Sequence, residues 1–198
     1  MKLNTFLLTT LLSTSIALAS EANTTATEMT VKQEGVKYIK MLGGTLKTEL
    51  QAHMKADKTG VDAVTFCTTQ ATKITAEVNA KLPAYTKVRR TALKLRNVEK
   101  NGADALDTKI MQEYVASIEA KTFTPKDIKV VKDGDVTRVY KPLLAKPVCL
   151  ICHGSKIPKA IQEEITKGYP HDKAVNFNEG SLRGVIVAEI KKNKEAAH

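Results

Sequence analysis

The residues best suited to chemistry stand close together in CLICHG, residues 149–154. They are Cys149, Cys152 and His153, and the only other cysteine of the chain is Cys67. The C-x-x-C-H spacing is typical of covalent c-type haem attachment. Two thiols add across two vinyl groups on one porphyrin edge, and the next residue can reach the iron as its proximal ligand. The motif therefore predicts Cys149 and Cys152 as covalent anchors and His153 as an iron ligand.

Three other uses of this motif fit the sequence less well. A structural zinc site needs four ligands, usually from two such pairs, and the sequence has no second C-x-x-C or H-x-x-x-H. A thioredoxin-like motif opens a helix within a βαβ unit, whereas the first helix predicted here starts beyond Cys152, near Pro158. A plain structural disulfide leaves His153 without a role. Haem attachment is the interpretation that uses all three residues.

The N-terminus has the features of a secretory signal peptide. Lys2 supplies a positive charge, an apolar stretch follows, and Ala17-Leu18-Ala19 fits the small-x-small cleavage rule. A spanning helix needs about 20 predominantly apolar residues, and this stretch is shorter and interrupted by Asn4. The sequence thus predicts a signal peptide over 1–19, cleavage after Ala19 and a periplasmic protein. That compartment suits c-type haem, which is attached outside the cytoplasm.

Removing 19 of the 198 residues leaves 179, enough for one domain with a hydrophobic core. The net charge falls only from +10 to +9, because Lys2 is the one charged residue removed. In an exported protein this charge favours an acidic redox partner over nucleic acid. No further apolar run predicts stable membrane insertion after cleavage, and the sequence leaves the oligomeric state open. Without a Ser-His-Asp order, P-loop or paired carboxylates, we expect no enzymatic activity.

Periodicity predicts long helices followed by a mostly antiparallel sheet, which is an α+β fold. The predicted helices cover 31–57, with a break or kink at Gly43-Gly44, then 61–80, 104–120 and 158–167. The predicted strands are 85–96, a hairpin within 128–140 around Asp133-Gly134, and 182–191. The domain organisation we expect is a signal peptide over 1–19, a flexible leader over 20–34, one haem domain over 35–192 and a polar tail over 193–198.

Cys67 falls on one face of the second predicted helix. The residues at three- and four-residue steps that share this face are Val64, Cys67, Ala71, Ile74 and Val78. Such a stripe packs inward, where a haem would also lie. The periodicity is equally consistent with a small core cysteine and with an iron ligand.

Several motifs around CLICHG occur together in one known family. They are Y-P-x-D-x-A at 169–174, G-x-x-R-G at 180–184, a cysteine-bearing helix at 66–74 and a strand at 89–97. In this combination the chain resembles the Tll0287-like haem domain family over roughly residues 35–191. One departure lies at 98–104, because this chain lacks both prolines of the family pattern N-P-x-N-x-P-D.

The resemblance implies a PAS-like fold, in which helices flank an antiparallel sheet that carries one haem c. It also implies an unusual axial pair, His153 and Cys67. Other residues that could in principle replace Cys67 are His53, Met54 and His171. The haem propionates call for cations, and guanidinium groups pair well with carboxylates. The candidates are Arg90, Arg96, Arg138 and Arg183, of which Arg183, between two glycines of the family-like motif, is the best.

For the resembled family, redox sensing and electron transfer are the proposed roles. We therefore expect a redox or gas sensor, or alternatively a small soluble electron carrier. A carrier keeps six-coordinate iron in both oxidation states, whereas a gas sensor loses its distal ligand on reduction. A peroxidase-like activity is disfavoured because the sequence shows no recognisable distal acid-base pair.

Overall fold

The computed structural model describes residues 19–124 and 126–191. The predicted signal peptide, except Ala19, and the predicted polar tail lie outside these residues. The helices are α1 (Ala19–Ala56), α2 (Val61–Thr69), α3 (Ala71–Ala80), α4 (Ala105–Glu119), α5 (Leu150–His153) and α6 (Lys159–Gly168). The strands are β1 (Thr86–Thr91), β2 (Lys129–Asp133), β3 (Val136–Leu144) and β4 (Leu182–Ile190). The expected α+β class, with an antiparallel sheet and a long N-terminal helix, is confirmed.

Among the described residues the strands form one antiparallel sheet in the order β1-β4-β3-β2. Side chains alternate between its two faces. One face, with Val88 and Ile186, packs against α1, α2 and α3. The opposite face, with Tyr140 and Val187, packs against α4. The sheet is therefore the middle of three layers, and its two faces have separate cores.

Helix α1 lies very close to the sheet, and two glycines allow this approach. A Cβ on Gly35 would lie 2.5 Å from Val139 Cγ2, and one on Gly43 would lie 2.8 Å from Ile186 Cδ1. The expected break at Gly43-Gly44 is absent, since α1 runs through both residues. No helix in the described ranges is both long and apolar enough to cross a membrane.

The structure describes residues 20–34, predicted as a flexible leader, as helical. These residues belong to α1, which begins at Ala19. Within this stretch the Val31 side chain is buried in the core between α1 and the sheet. Its burial gives this part of the chain a packing interaction that composition alone does not indicate.

The single helix predicted over 61–80 is divided at Gln70 into α2 and α3. Threonine hydroxyls in the last turns of α2 donate to its backbone, with Thr68 and Thr69 both contacting the Thr65 carbonyl. Such side-chain bonds compete with the helical ladder and bend helices. Because of this division, the Cys67 carbonyl has no hydrogen-bond donor from a following turn of the same helix.

Strand β1 ends at Thr91, five residues before the end of the predicted strand. The following residues leave the sheet and pair with a different segment. The Lys173 amide donates to the Leu95 carbonyl over 2.8 Å, and the Lys94 ammonium donates to the Val175 carbonyl. Residues 92–96 are thus directed toward the chain that follows α6.

The α4 face of the sheet holds a network of ion pairs around one fully buried carboxylate. Asp107 is 0% exposed and accepts from both Arg89 terminal nitrogens, at 2.8 and 3.0 Å. It also accepts from Arg138 at 3.3 Å and from the Tyr140 hydroxyl at 3.0 Å. With Asp104 it forms the capping box that begins α4. Every charge in this network has a partner, as buried charges require.

Candidate cofactor site

The C-x-x-C-H motif folds into two tight turns. A 3₁₀ turn over Pro147–Cys149 leads directly into α5, so the prediction that the first helix starts only beyond Cys152 is wrong. Residues three apart on a helical turn share a side, which brings Cys149 and Cys152 to the same side. The turn ends at Gly154, where a Cβ would lie 2.6 Å from the Leu150 carbonyl oxygen. A glycine therefore has to follow the motif.

His153 is held in one tautomer by a backbone carbonyl. Its Nδ1 lies 2.7 Å from the Ala174 carbonyl oxygen. Because a carbonyl can only accept, Nδ1 carries the hydrogen, and the Nε2 lone pair is left for a ligand. Burial lowers the pKa of His153 to about 3, and the nearby Arg183 and Arg96 contribute to this decrease. The imidazole is thus neutral at pH 7, as a metal ligand must be.

The segment after α6 lies along the motif and keeps that carbonyl in place. The Phe177 amide donates to the His153 carbonyl over 2.9 Å, and the Asn176 amide donates to the Gly154 carbonyl over 3.0 Å. The Phe177 ring also stands edge-on to the imidazole, with centroids 6.2 Å apart. Asp172 accepts from the Ala174 amide over 2.8 Å. These contacts fix the orientation of His153 from both its backbone and its ring.

Cys67 reaches the same site from the last turns of α2. Its side chain is half-buried and packs against the core between the helices and the sheet. The Tyr169 hydroxyl donates to the Cys67 carbonyl over 2.6 Å, replacing the helical partner lost at the division between α2 and α3. Burial raises the pKa of the Tyr169 phenol to about 12, so the hydroxyl remains a donor at neutral pH. Tyr169 therefore positions the turn that carries Cys67.

All three cysteines are free thiols, and they lie close enough to influence one another. Burial raises the pKa of Cys152, the nearby Arg96 opposes this increase, and the proximity of Cys67 and Cys149 adds to it. Burial likewise raises the pKa of Cys67, while Arg90 and two other arginines oppose that increase. Burial of the thiols thus opposes their ionisation, whereas the nearby arginines favour the thiolate form.

Arg96 holds the two halves of the site together. Its Nη2 donates to the Cys152 carbonyl over 2.6 Å and to the Ala174 carbonyl over 3.3 Å. It also pairs with Asp172 at 3.1 Å, and both side chains are about nine-tenths buried. One guanidinium thereby links the motif turn to the segment that accepts the His153 hydrogen.

Arg183 stands at the start of β4, over the face of Phe177, with its guanidinium carbon 5.3 Å from the ring centroid. Its hydrogen bond to the Lys94 carbonyl is long, at 3.5 Å. Burial lowers its pKa to about 10, and the neighbouring Arg96 and Arg90 contribute to this decrease. Arg183 is therefore a partly buried cation that the protein neutralises poorly.

Arg90 is less well matched still. Among the described residues it forms no ion pair and no hydrogen bond, and its buried Nε has no partner. Burial lowers the pKa of Arg90. The cluster contains three arginines, Arg90, Arg96 and Arg183, and one carboxylate, Asp172. This described part of the chain therefore carries an excess of positive charge that suits an anionic group.

The seven predicted site residues therefore lie in one cluster: Cys67, Arg90, Arg96, Cys149, Cys152, His153 and Arg183. Their individual roles stay predictions. Arg138 lies elsewhere, paired with three aspartates on the α4 face. His53 pairs with Asp62 at 2.7 Å, and His171 is exposed.

Sequence reasoning gives no role to three residues of the site, namely Tyr169, Asp172 and Phe177. The sequence indicates only a turn at Tyr169. A signal is available for two of the three, because Tyr169 and Asp172 are defined positions of the Y-P-x-D-x-A motif. Phe177 lies three residues beyond that motif, and no pattern in the sequence marks it.

The fold and this cluster define an α+β domain built around a site lined by cysteines, a histidine and arginines. The chain belongs to the Tll0287-like family, whose model matches residues 7–190. This confirms the resemblance noted from the motifs. The chain is also similar to the crystal structure of the cyanobacterial heme-protein Tll0287, with 22% sequence identity and a TM-score of 0.52. That similarity covers 91% of this chain and 100% of the other, and at this identity it concerns the fold. No curated protein matches the chain.

Removing the Tyr169 hydroxyl tests its role in holding α2. We expect Tyr169→Phe to reduce the free energy of unfolding by about 1–3 kcal/mol, because the partly buried Cys67 carbonyl loses its donor. Urea unfolding measures the change. Tyr85→Phe is the matched control, since the Tyr85 hydroxyl bonds Glu34 in an exposed setting where water can replace it. Equal losses in the two variants would contradict the positioning role.

Proposed function

We propose that this chain is an exported c-type haem protein with one haem, acting as a redox or gas sensor. The observation that carries the proposal is the state of His153. Its imidazole is neutral and oriented through Nδ1, and two free thiols precede it at the C-x-x-C-H spacing of haem attachment. Metal-ligating histidines typically donate their second nitrogen to a carbonyl or carboxylate in this way. The family membership supports the same interpretation, and so does the fold similarity to a cyanobacterial heme-protein.

The residues present fit such a group. Cys149 and Cys152 would hold it through thioether bonds, and the Nε2 of His153 would ligate the iron. Cys67, which comes from α2, would be the second axial ligand. When bound, haem supplies an iron that exchanges one electron and can take a small gaseous ligand. The arginines of the site outnumber the carboxylates that the protein places beside them, so they suit the propionates of the group.

The chain's own residues would set the properties of the site. The Ala174 carbonyl, by accepting from Nδ1, increases the donor strength of His153. Arg96 contacts the same carbonyl and so opposes that effect. The arginines around Cys67 favour its thiolate, which burial disfavours. A thiolate ligand favours ferric over ferrous iron, so we expect a low reduction potential.

A second candidate function is a small soluble electron carrier. The formal net charge of +9 that remains after removal of Lys2 with the signal peptide supports docking to an acidic redox partner. The two functions differ in what Cys67 does on reduction. In a carrier it stays bound, whereas in a gas sensor it leaves and opens a coordination position.

Export and covalent attachment are tested on the same material. Protein recovered from the periplasmic fraction should begin at Ser20 in N-terminal sequencing. Its colour should remain with the protein after acid-acetone extraction, because thioether bonds survive acid. Cys149→Ser and Cys152→Ser together should abolish the colour, and a freely extracted haem would refute covalent attachment. An intact Met1, or recovery from membranes alone, would refute cleavage after Ala19.

Substitution of Cys67 tests the axial ligand. Cys67→Ala should give high-spin or water-ligated ferric haem by EPR, since the thiolate is lost. Cys67→Met should raise the potential markedly, because a neutral thioether stabilises ferric iron less than a thiolate does. Thr72→Ala, an exposed change in the neighbouring helix α3, is the control and should alter neither. An unchanged low-spin spectrum in folded Cys67→Ala would transfer the role to Met54 or His53.

Carbon monoxide distinguishes the sensor from the carrier. If Cys67 leaves on reduction, the reduced protein should bind CO and shift its Soret band, while the oxidised protein should not. A reduced protein that remains six-coordinate and ignores CO would favour the electron carrier. The reduced Cys67→Ala variant is the positive control, because it has no Cys67 thiolate that could compete with CO.

A further inference from the structure

Strand β1 carries two consecutive arginines, which project to opposite faces of the sheet because side chains alternate along a strand. Arg89 faces α4 and is fully matched. It contacts Asp107 with both terminal nitrogens and Glu189 through Nε at 2.6 Å. Arg90 is paired in register with Ile186 of β4 and faces the cysteine side of the sheet. The two adjacent arginines thus differ in their surroundings, because Arg89 is paired with carboxylates and Arg90 is not.

The described part of the protein offers Arg90 no carboxylate. Arg90 takes part in no ion pair and no hydrogen bond there, and its neighbours Cys67 and Tyr169 carry no carboxyl group. Asp172, the carboxylate of the cluster, is already bound by Arg96. The buried Nε of Arg90 accordingly has no acceptor within the residues that the structure describes.

We infer that Arg90 is the residue that binds a propionate of the covalently attached haem. This inference rests on the proposed function and distinguishes Arg90 from the other two candidates. Arg96 already contacts two carbonyls and Asp172. Arg183 rests on Phe177 and donates weakly to Lys94, so it is partly engaged. Arg90 alone of the three has its whole guanidinium available, and a planar fork of donors matches a carboxylate.

The same chemistry could be satisfied by an exchangeable carboxylate from solution, so the experiment must separate the two sources. The holoprotein is compared with Arg90→Met and Arg90→Lys, and the control is Arg89→Lys, which keeps a cation on the α4 face. One readout is the propionate bending band in the resonance Raman spectrum. The other is the midpoint potential, measured while acetate replaces chloride at constant ionic strength.

We expect the propionate band to shift in both Arg90 variants and to stay unchanged in Arg89→Lys. The midpoint potential should fall in Arg90→Met, because an unneutralised carboxylate near the iron favours the ferric state. In the wild type it should not depend on acetate. Arg90→Lys retains the charge, but its single ammonium cannot reproduce the fork geometry of the guanidinium. It therefore tests the inference even if Arg90→Met does not fold.

Two results would overturn the inference. One is a haem-loaded Arg90 variant with an unshifted propionate band. The other is a wild-type potential that follows acetate and loses this dependence in Arg90→Met, which would assign the site to an exchangeable anion. Either result leaves covalent haem attachment standing. A purified protein with no covalent haem in its pyridine haemochrome spectrum would instead defeat the proposed function itself, and this inference with it.

Discussion

The Arg96 guanidinium is the interaction on which the site depends. It joins the Cys152 carbonyl, the Ala174 carbonyl and the Asp172 carboxylate, three groups separated by up to 22 residues in sequence. Because Ala174 also accepts the His153 hydrogen, the orientation of the imidazole and the position of the motif turn are coupled through one side chain. Arg96 itself is brought there because β1 ends early and residues 92–96 turn toward the segment after α6.

Much of this architecture can be predicted from the sequence, where one strong local signal decides the outcome. The C-x-x-C-H spacing, the Asp104 cap of α4 and the turn that joins β2 and β3 all depend on residues near one another in the chain. The α+β class follows from the order of helical and alternating patterns. The family resemblance adds the association of Cys67 with the motif, which periodicity alone leaves open between core and ligand.

Other features depend on contacts between distant residues, and the sequence does not contain them in readable form. The division at Gln70 reflects threonine hydroxyls and the Tyr169 donor. The early end of β1 reflects pairing with 173–175. The choice among the arginines depends on which carboxylates lie nearby, and Arg89 and Arg90 are indistinguishable until the face of the sheet is known. The charge balance of a site is a property of its packing rather than of its composition.

The short length of helix α2 affects how readily the site can open. It is nine residues long, shorter than the roughly 12–15 residues at which an isolated helix becomes even marginally stable in water. Its helicity therefore relies on packing against α1 and α6. Segments of this kind open locally at a lower free energy than the central strands, and they do so without global unfolding. We therefore expect the amide hydrogens around Cys67 to exchange earlier than those of the central strands, whereas His153 is tied to a network linked to the sheet.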